Sequence, residues 1–225
     1  MNLICFSHLR WNFVYQRPQH LMSRFAKLFT TYYVEQYIYN DEQDGYSTTT
    51  TPEAVTIVHL HLNGQPGNKE EDDERCKKVL QNFFHDQYIR NYIFWYYTPM
   101  AMPFTQSFRP GLVVYDCMDE LTAFKFAPPS LKKMEEQLFA KADIVFTGGQ
   151  SLFEAKRHLH HNIYPFPSSI DKAHFGAARY SALEPADQQN IRHPWLGFFG
   201  VKDERFDIDL IKNAADLRPD WHLCL

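Results

Sequence analysis

Nowhere in its 225 residues does the sequence approach the ~20 consecutive apolar positions that a membrane-spanning helix requires. The N-terminus, MNLICFSHLRW, offers only residues 3–6 before polar ones arrive and has no basic start, so it lacks the pattern of a secretory signal. Both absences point to a protein made and kept in the cytoplasm, with contact at the inner face of a membrane left open. Cysteine is scarce: Cys5, Cys76, Cys117 and Cys224 lie far apart, with no CxxC pair and no Cys/His ligand spacing. Free thiols in a reducing compartment follow, and neither a disulfide nor a structural zinc is expected. Positive charge is not in excess either. With 23 Lys and Arg against 27 Asp and Glu the formal net charge is -4, and the basic residues are scattered. No field exists that would hold a nucleic acid by counterion release. The nucleotide fingerprints GxGxxG and the P-loop are missing too.

What is present is the profile of a folded protein: 44% apolar, 22% charged and 16% aromatic residues. Short apolar runs rich in β-branched and aromatic residues occupy 3–6, 32–35, 55–60, 92–97, 112–115, 144–147 and 163–166. Amphipathic segments at 18–29, 71–84, 130–140 and 151–159 separate them. Continuous runs such as LVVY and DIVF read as strands buried on both faces, and alternation with helices argues a Rossmann-like α/β fold, a parallel sheet with helices on both faces. In such sheets ligands bind at the carboxyl ends of the strands. The polar stretches 40–52 and 63–73 read as surface loops. Residues 1–180 are expected to form this domain and 181–194 a linker. A fresh strand at 195–199, a helix at 207–217 and a strand at 221–225 follow. One such βαβ unit cannot bury both faces of its sheet, so 195–225 reads as the opening of a truncated second α/β domain.

Several clusters could carry chemistry. LVVYDCMDE sets Asp116, Asp119 and Glu120 together at a strand's carboxyl end, where crowded carboxylates can raise a pKa for proton transfer. Helix capping by Asp116 or Asp119 explains the same residues without a ligand, and no third ligand of suitable spacing supports a metal. FTGGQS places Gly148 and Gly149 at a strand-to-helix turn where backbone N–H groups can face an anion, with Ser151 as a structural N-cap in the plainer reading. SHLRWNFVYQRPQH delivers Trp11, Gln16, Arg17 and His20 to the sheet mouth. Aromatic rings stack on sugar faces while Arg and Gln give directional hydrogen bonds; His20 is a candidate general base, or a structural histidine. WYYTPMAMPF carries Thr98 and either lines an acceptor pocket or covers the sheet edge. The histidines at 158, 160 and 161 read as a solvated helix end.

Taken together, WNFVYQRPQHLMSRFA, WYYTPMAMPFT, VVYDCMDELTAFKFAPP, ADIVFTGGQSLFEAKR, PFPSSIDKAHF and LGFFGVKDERFDIDLI resemble bacterial glycosyltransferases of the family 1 and family 4 type. More narrowly they resemble the group encoded with or fused to UDP-galactopyranose mutase and tied to surface polysaccharide synthesis. The resemblance covers most of the chain. It implies the two-domain GT-B architecture, without a catalytic metal or other cofactor, and with a nucleotide-sugar donor and a glycan or lipid-linked acceptor as partners. It implies acceptor contacts from Trp11, Gln16, Arg17, Thr98, Gly148, Gly149 and Ser151, and a base or orienting group among Asp116, Asp119, Glu120 and His20. Gly200, Lys202 and Arg205 look like the first loop of the donor domain, facing the diphosphate. Where relatives carry asparagine and glycine, this chain has Ser168 and Ser169 before Asp171, so contacts do not carry over there. A fragment without the rest of the donor domain is expected to show little transfer. The rival readings are a non-catalytic sugar- or nucleotide-binding module, and a metal-dependent single-domain glycosyltransferase using DCMD, whose aspartates are three apart where that class has them one apart.

Overall fold

A strand that is paired on both edges and covered on both faces sets the layout of the chain. In the computed structural model, which describes residues 1–125, 127–180, 186–200, 202 and 206–225, that strand is β1 (Asn2–Ser7), whose Leu3, Ile4, Cys5 and Phe6 are at most 2% exposed. There follow α1 (Arg17–Phe25), β2 (Thr30–Glu35), β3 (Ile38–Asn40), β4 (Gly45–Thr50) and β5 (Val55–Asn63). Next come α2 (Lys69–Asp86), β6 (Tyr92–Tyr96), α3 (Met102–Thr105) and β7 (Leu112–Cys117). The sheet is completed by α4 (Leu131–Lys141), β8 (Ile144–Thr147), α5 (Gln150–Lys156) and β9 (Ile163–Pro165). The strand order is β3-β5-β2-β1-β6-β7-β8-β9, parallel throughout, with β4 antiparallel to β5. Ile4 stands opposite Tyr32 on one side and Phe94 on the other.

Alternation of side chains across the sheet produces two cores. Ile4, Phe6, Tyr32, Val34, Phe94, Tyr96, Val113 and Tyr115 share one face with Cys76, Val79, Leu80, Phe83 and Phe84 of α2 and Leu138 and Phe139 of α4. Leu3, Cys5, Tyr33, Trp95, Tyr97 and Val114 share the other with Met22 of α1 and with Trp11. The α2 residues recur at the i, i+3, i+4, i+7, i+8 spacing of one helical stripe. Phe6 is the hub of the first core, its ring 4.9 Å edge-on from Phe94 and 5.0 Å stacked on Tyr96. Each such pair adds about 0.5–1.5 kcal/mol beyond the area it buries.

Local chemistry sets the ends of the elements. Asn68 accepts the Glu70 amide at 2.9 Å and caps α2, with Glu70, Glu71 and Asp72 in the first turn where the helix dipole favours negative charge. This start lies inside the stretch 63–73 that reads as a loop, because the cap precedes the apolar stripe by two turns. The stretch 40–52 also needs correction, since it contains β4. Its GYSTTT run has the β-branched residues a strand favours, but β4 pairs with β5 alone and leaves Ser47 to Thr50 exposed, so no apolar alternation marks it.

A buried ionic cluster docks α4 and α5 under the end of β7. Lys156 Nζ donates to both oxygens of Glu135 at 2.8 and 2.9 Å and lies 2.9 Å from Glu120 Oε2. The Tyr115 hydroxyl donates to Glu135 at 2.7 Å. Burial pulls the Lys156 ammonium down, yet Glu135 and Glu120 lift it above its ordinary 10.5. A raised lysine contributes its stability below its unfolded pKa and loses it only as pH climbs past the folded one, so the cluster is in force at neutral pH.

Contacts divide the chain into Met1–Ser169 and Ile170–Leu225. The second unit contains α6 (Lys172–Gly176), β10 (Trp195–Gly197), α7 (Ile208–Leu217) and β11 (His222–Cys224), with β10 and β11 parallel. Asp171 caps α6 and Asp207 caps α7 through its contact with the Leu210 amide. Leu196, Phe198, Ile208 and Leu210 are exposed.

Lys156→Met is expected to cost about 3–5 kcal/mol in urea unfolding, because it strands two carboxylates, and Lys156→Met combined with Glu135→Leu to recover part of the loss. Equal loss in the single and double variants would show that packing, not charge, dominates there.

Candidate functional site

The winding of the sheet reverses at β1. From β1 the chain moves to β2 and β5 on one side, then crosses back to β6 on the other, so the connections leaving β1 and β6 diverge and open a crevice at the carboxyl ends of the strands. A pocket of ≈ 140 Å³ occupies this place. Ser7 and His8 line it from the end of β1, Glu35 and Tyr37 from the end of β2, Thr98, Met100 and Ala101 from the turn after β6, and Ser130 and Met134 from α4 and its approach.

The charges of the pocket are already engaged. Glu35, 5% exposed, accepts from Arg10 Nη1 and from the Trp11 amide, both at 2.8 Å, and lies 3.2 Å from His59 Nδ1. Lys69 pairs with Asp73 one turn along α2 and donates to the Tyr37 hydroxyl at 3.2 Å. Thr98 Oγ1 accepts the Met100 amide and Ser7 Oγ the Leu9 amide, holding both turns in shape. His8 differs. Its Nδ1 is buried and has no hydrogen-bond partner among the described residues. Burial pushes its imidazole below the usual 6.5, while the charge of Asp119 pulls the other way. The imidazole borders the concave site, and in its neutral form it can accept a proton.

The residues singled out in the sequence separate into framework and site. Asp116 is fully buried, and Arg17 Nε donates to both its oxygens at 3.0 Å while Nη2 donates to Oδ1 at 2.7 Å. Burial pushes the Asp116 carboxyl up and Arg17 pulls it back, with Tyr97 and Trp95 adding less in the same direction as Arg17. Arg17 also donates to the Phe166 carbonyl, so the pair ties α1 to β7 and β9 and presents neither a base nor a free guanidinium. Trp11 is a core residue, 7% exposed and edge-on to Tyr33 at 5.1 Å, with no open face for a sugar. Gln16 caps α1, its amide donating to Gln19 Oε1 at 3.1 Å. His20 stands on α1 against Tyr15 at 4.7 Å and does not line the pocket. Glu120 faces Lys156; burial raises its carboxyl, but Thr122 and Lys156 bring it below its ordinary value. Asp119 stays exposed, its charge felt at His8.

Gly148 is needed by packing. A Cβ there would stand 2.3 Å from the Met118 carbonyl oxygen, and its own amide donates to Cys117 O at 2.9 Å. Gly149, not Ser151, is the N-cap of α5; it is extended, and an added Cβ would meet nothing within 4 Å. Thr98 alone among the expected acceptor contacts lines the pocket. Gly200 and Lys202 lie exposed between β10 and α7, and Arg205 falls outside the described residues. Among the histidines at 158, 160 and 161, His160 is structural, spanning the Ala142 carbonyl and the Asn162 amide. His8 was not singled out, although the first polar residues past the central strand are the signal that finds it. Among the described residues no group of three or more His, Cys, Asp or Glu is placed to hold a metal ion, and no helix is long and apolar enough to cross a membrane.

No family model and no curated protein matches the chain in sequence. Its fold is similar to that of solved structures. Sucrose-phosphate synthase from Thermosynechococcus elongatus superposes with a TM-score of 0.63 at 12% identity, over 99% of this chain and 61% of that one. The E. coli trehalose-6-phosphate structure bound with UDP-2-fluoro glucose gives 0.56 at 11%, over 84% and 53%. The catalytic domain of starch synthase IV from Arabidopsis thaliana, bound to ADP and acarbose, gives 0.54 at 9%, over 99% and 68%. The chain thus spans between about half and two thirds of these structures. At such identity the likeness establishes the Rossmann-like α/β fold.

The two glycines provide a matched test of close packing against capping. Gly148→Ala is expected to destabilise by about 1–3 kcal/mol through overpacking, and Gly149→Ala, which meets no neighbour, by about 1 kcal/mol or less through the poorer N-cap alone. A neutral Gly148→Ala would mean that the turn can move off Met118.

Proposed function

We propose that the chain serves transfer of a glycosyl group from a nucleotide-sugar to a hydroxyl of a glycan or lipid-linked acceptor, in cell-surface polysaccharide synthesis. The observation that carries this reading is the switch-point pocket at the carboxyl ends of the strands, bordered by the half-buried imidazole of His8. Supporting it are the sequence segments that resemble glycosyltransferases and the fold shared with structures whose descriptions include UDP-2-fluoro glucose in one case and ADP in another.

In this reading the first unit binds the acceptor and the second the donor. As the acceptor oxygen attacks the anomeric carbon, the bond from that carbon to the diphosphate oxygen breaks, and the nucleoside diphosphate leaves with the electron pair. The hydroxyl proton passes to the imidazole of His8, and the negative charge of Asp119 favours the imidazolium that forms. Thr98 bounds the acceptor site. Gly200, Lys202 and Arg205 meet the diphosphate on the β10-to-α7 connection, where backbone amides and basic groups suit phosphate. The consecutive exposed residues Phe13, Val14 and Tyr15 supply a surface for peripheral membrane contact. Asp116 is committed to Arg17, so DCMD offers no pair of free aspartates for the metal-dependent alternative.

The test is release of nucleoside diphosphate from UDP-, ADP- and GDP-sugars with a panel of hydroxyl acceptors. His8→Ala should lower turnover by about 10²–10⁴ with an unchanged melting temperature; unchanged turnover removes His8 from the chemistry. Activity should rise with pH as His8 loses its proton, with an acid limb centred below 6.5 that disappears in His8→Ala.

A further inference from the structure

The lining of the pocket also restricts what can enter it. Phe6, Val34, Met100, Ala101, Phe104 and Met134 give the wall its apolar part, and the uncharged polar Gln36 and Ser130 share it. Of the lining residues charged at neutral pH, Glu35 has three partners and Lys69 is held by Asp73 and Tyr37. A phosphate or carboxylate brought in would find no unpaired cation and would lie against the buried Glu35 carboxylate. A sugar ring would strip water from several hydroxyls, while Ser7, Tyr37 and Thr98 already hold hydrogen bonds and leave Gln36, Ser130 and His8 to meet them, at about 1–3 kcal/mol for each group left unsatisfied. Size points the same way: an apolar protein cavity of about 150 Å³ holds a single benzene ring, and this pocket measures ≈ 140 Å³. The half-buried imidazole of His8 borders the pocket and can meet one hydroxyl.

We propose that the pocket takes an uncharged apolar group of about one ring or one branched five-carbon unit, bearing the acceptor hydroxyl that meets His8, in place of a sugar phosphate or an anionic glycan. This assignment rests on the transferase reading and narrows its acceptor. Phenols and prenyl alcohols share the required chemistry, and separate arms of the experiment distinguish them.

The experiment is calorimetric titration of the full chain with 4-ethylphenol, with 3-methylbut-2-en-1-ol and with glucose 6-phosphate. Two variants block the site: Met134→Trp fills the wall, and Ser130→Trp, at an exposed position, narrows the mouth with little demand on folding. One of the two neutral alcohols should bind at least about tenfold more tightly than glucose 6-phosphate, and either variant that keeps the native melting temperature should weaken it by about tenfold or more. Tighter binding of glucose 6-phosphate, or alcohol binding that both folded variants leave unchanged, overturns the assignment. Failure of the transferase reading is seen separately, as no nucleoside diphosphate release with any acceptor. Transfer to a glycan alongside absent alcohol binding would sink the apolar acceptor and spare the transferase.

Discussion

Everything in the first unit is arranged around a strand with no free edge and no free face. Because β1 is hydrogen-bonded to β2 and to β6, the chain must leave it in one direction and return to it from the other. The diverging connections cannot pack against each other over its end, and the pocket is the space they leave. Its location therefore follows from strand order, and the residues that enter it are whichever come next in the chain, Ser7 and His8. The same strand divides the core, since Ile4 and Phe6 commit α2 and α4 to one face while Leu3 and Cys5 commit α1 to the other.

Around that crevice the ionic side chains serve the framework. Asp116 holds Arg17, Glu35 holds Arg10 and the Trp11 amide, and Glu135 holds Lys156. Each carboxylate is nearly or fully buried, where an isolated charge is far too costly and a paired, hydrogen-bonded one is tolerable. The pairs also connect elements distant in sequence: Arg17 reaches across 99 residues to Asp116, fastening the first loop and helix to β7. Rigid walls result, and with them a pocket from which free charge has been removed.

Most of the fold was legible because parallel strands buried on both faces announce themselves as unbroken apolar runs. LVVYDC and the DIVFT segment needed no tertiary information, and the α2 stripe from Cys76 to Phe84 was plain from its spacing. The edge strand β4 escaped, since Thr48, Thr49 and Thr50 face water and carry no apolar alternation. Site assignment was harder for a related reason. Arg, Trp, Asp and Gly at strand ends are what a binding loop uses and also what a buried corner uses, and composition does not separate the two. Only the folded chain shows that Trp11 is packed edge-on to Tyr33, that Arg17 is spent on Asp116, and that Gly148 is small because Met118 leaves no room.

The histidine that remains illustrates what burial does to different groups at the ends of the strands. Desolvation raises a carboxyl and lowers an imidazole. At Asp116 it disfavours the charged form that a base would use, so the side chain survives there only through Arg17. At His8 it favours the neutral form, which is the form that accepts a proton, and it does so without any partner occupying Nδ1. The same low-polarity surroundings therefore oppose the ionised carboxylate and favour the uncharged imidazole. Side chains transferred by resemblance from a loop pattern need not coincide with the group so favoured, whereas the position past the central strand is common to every sheet wound in this way. Strand order fixes where that position lies, whereas the identity of a loop residue is free to serve packing instead.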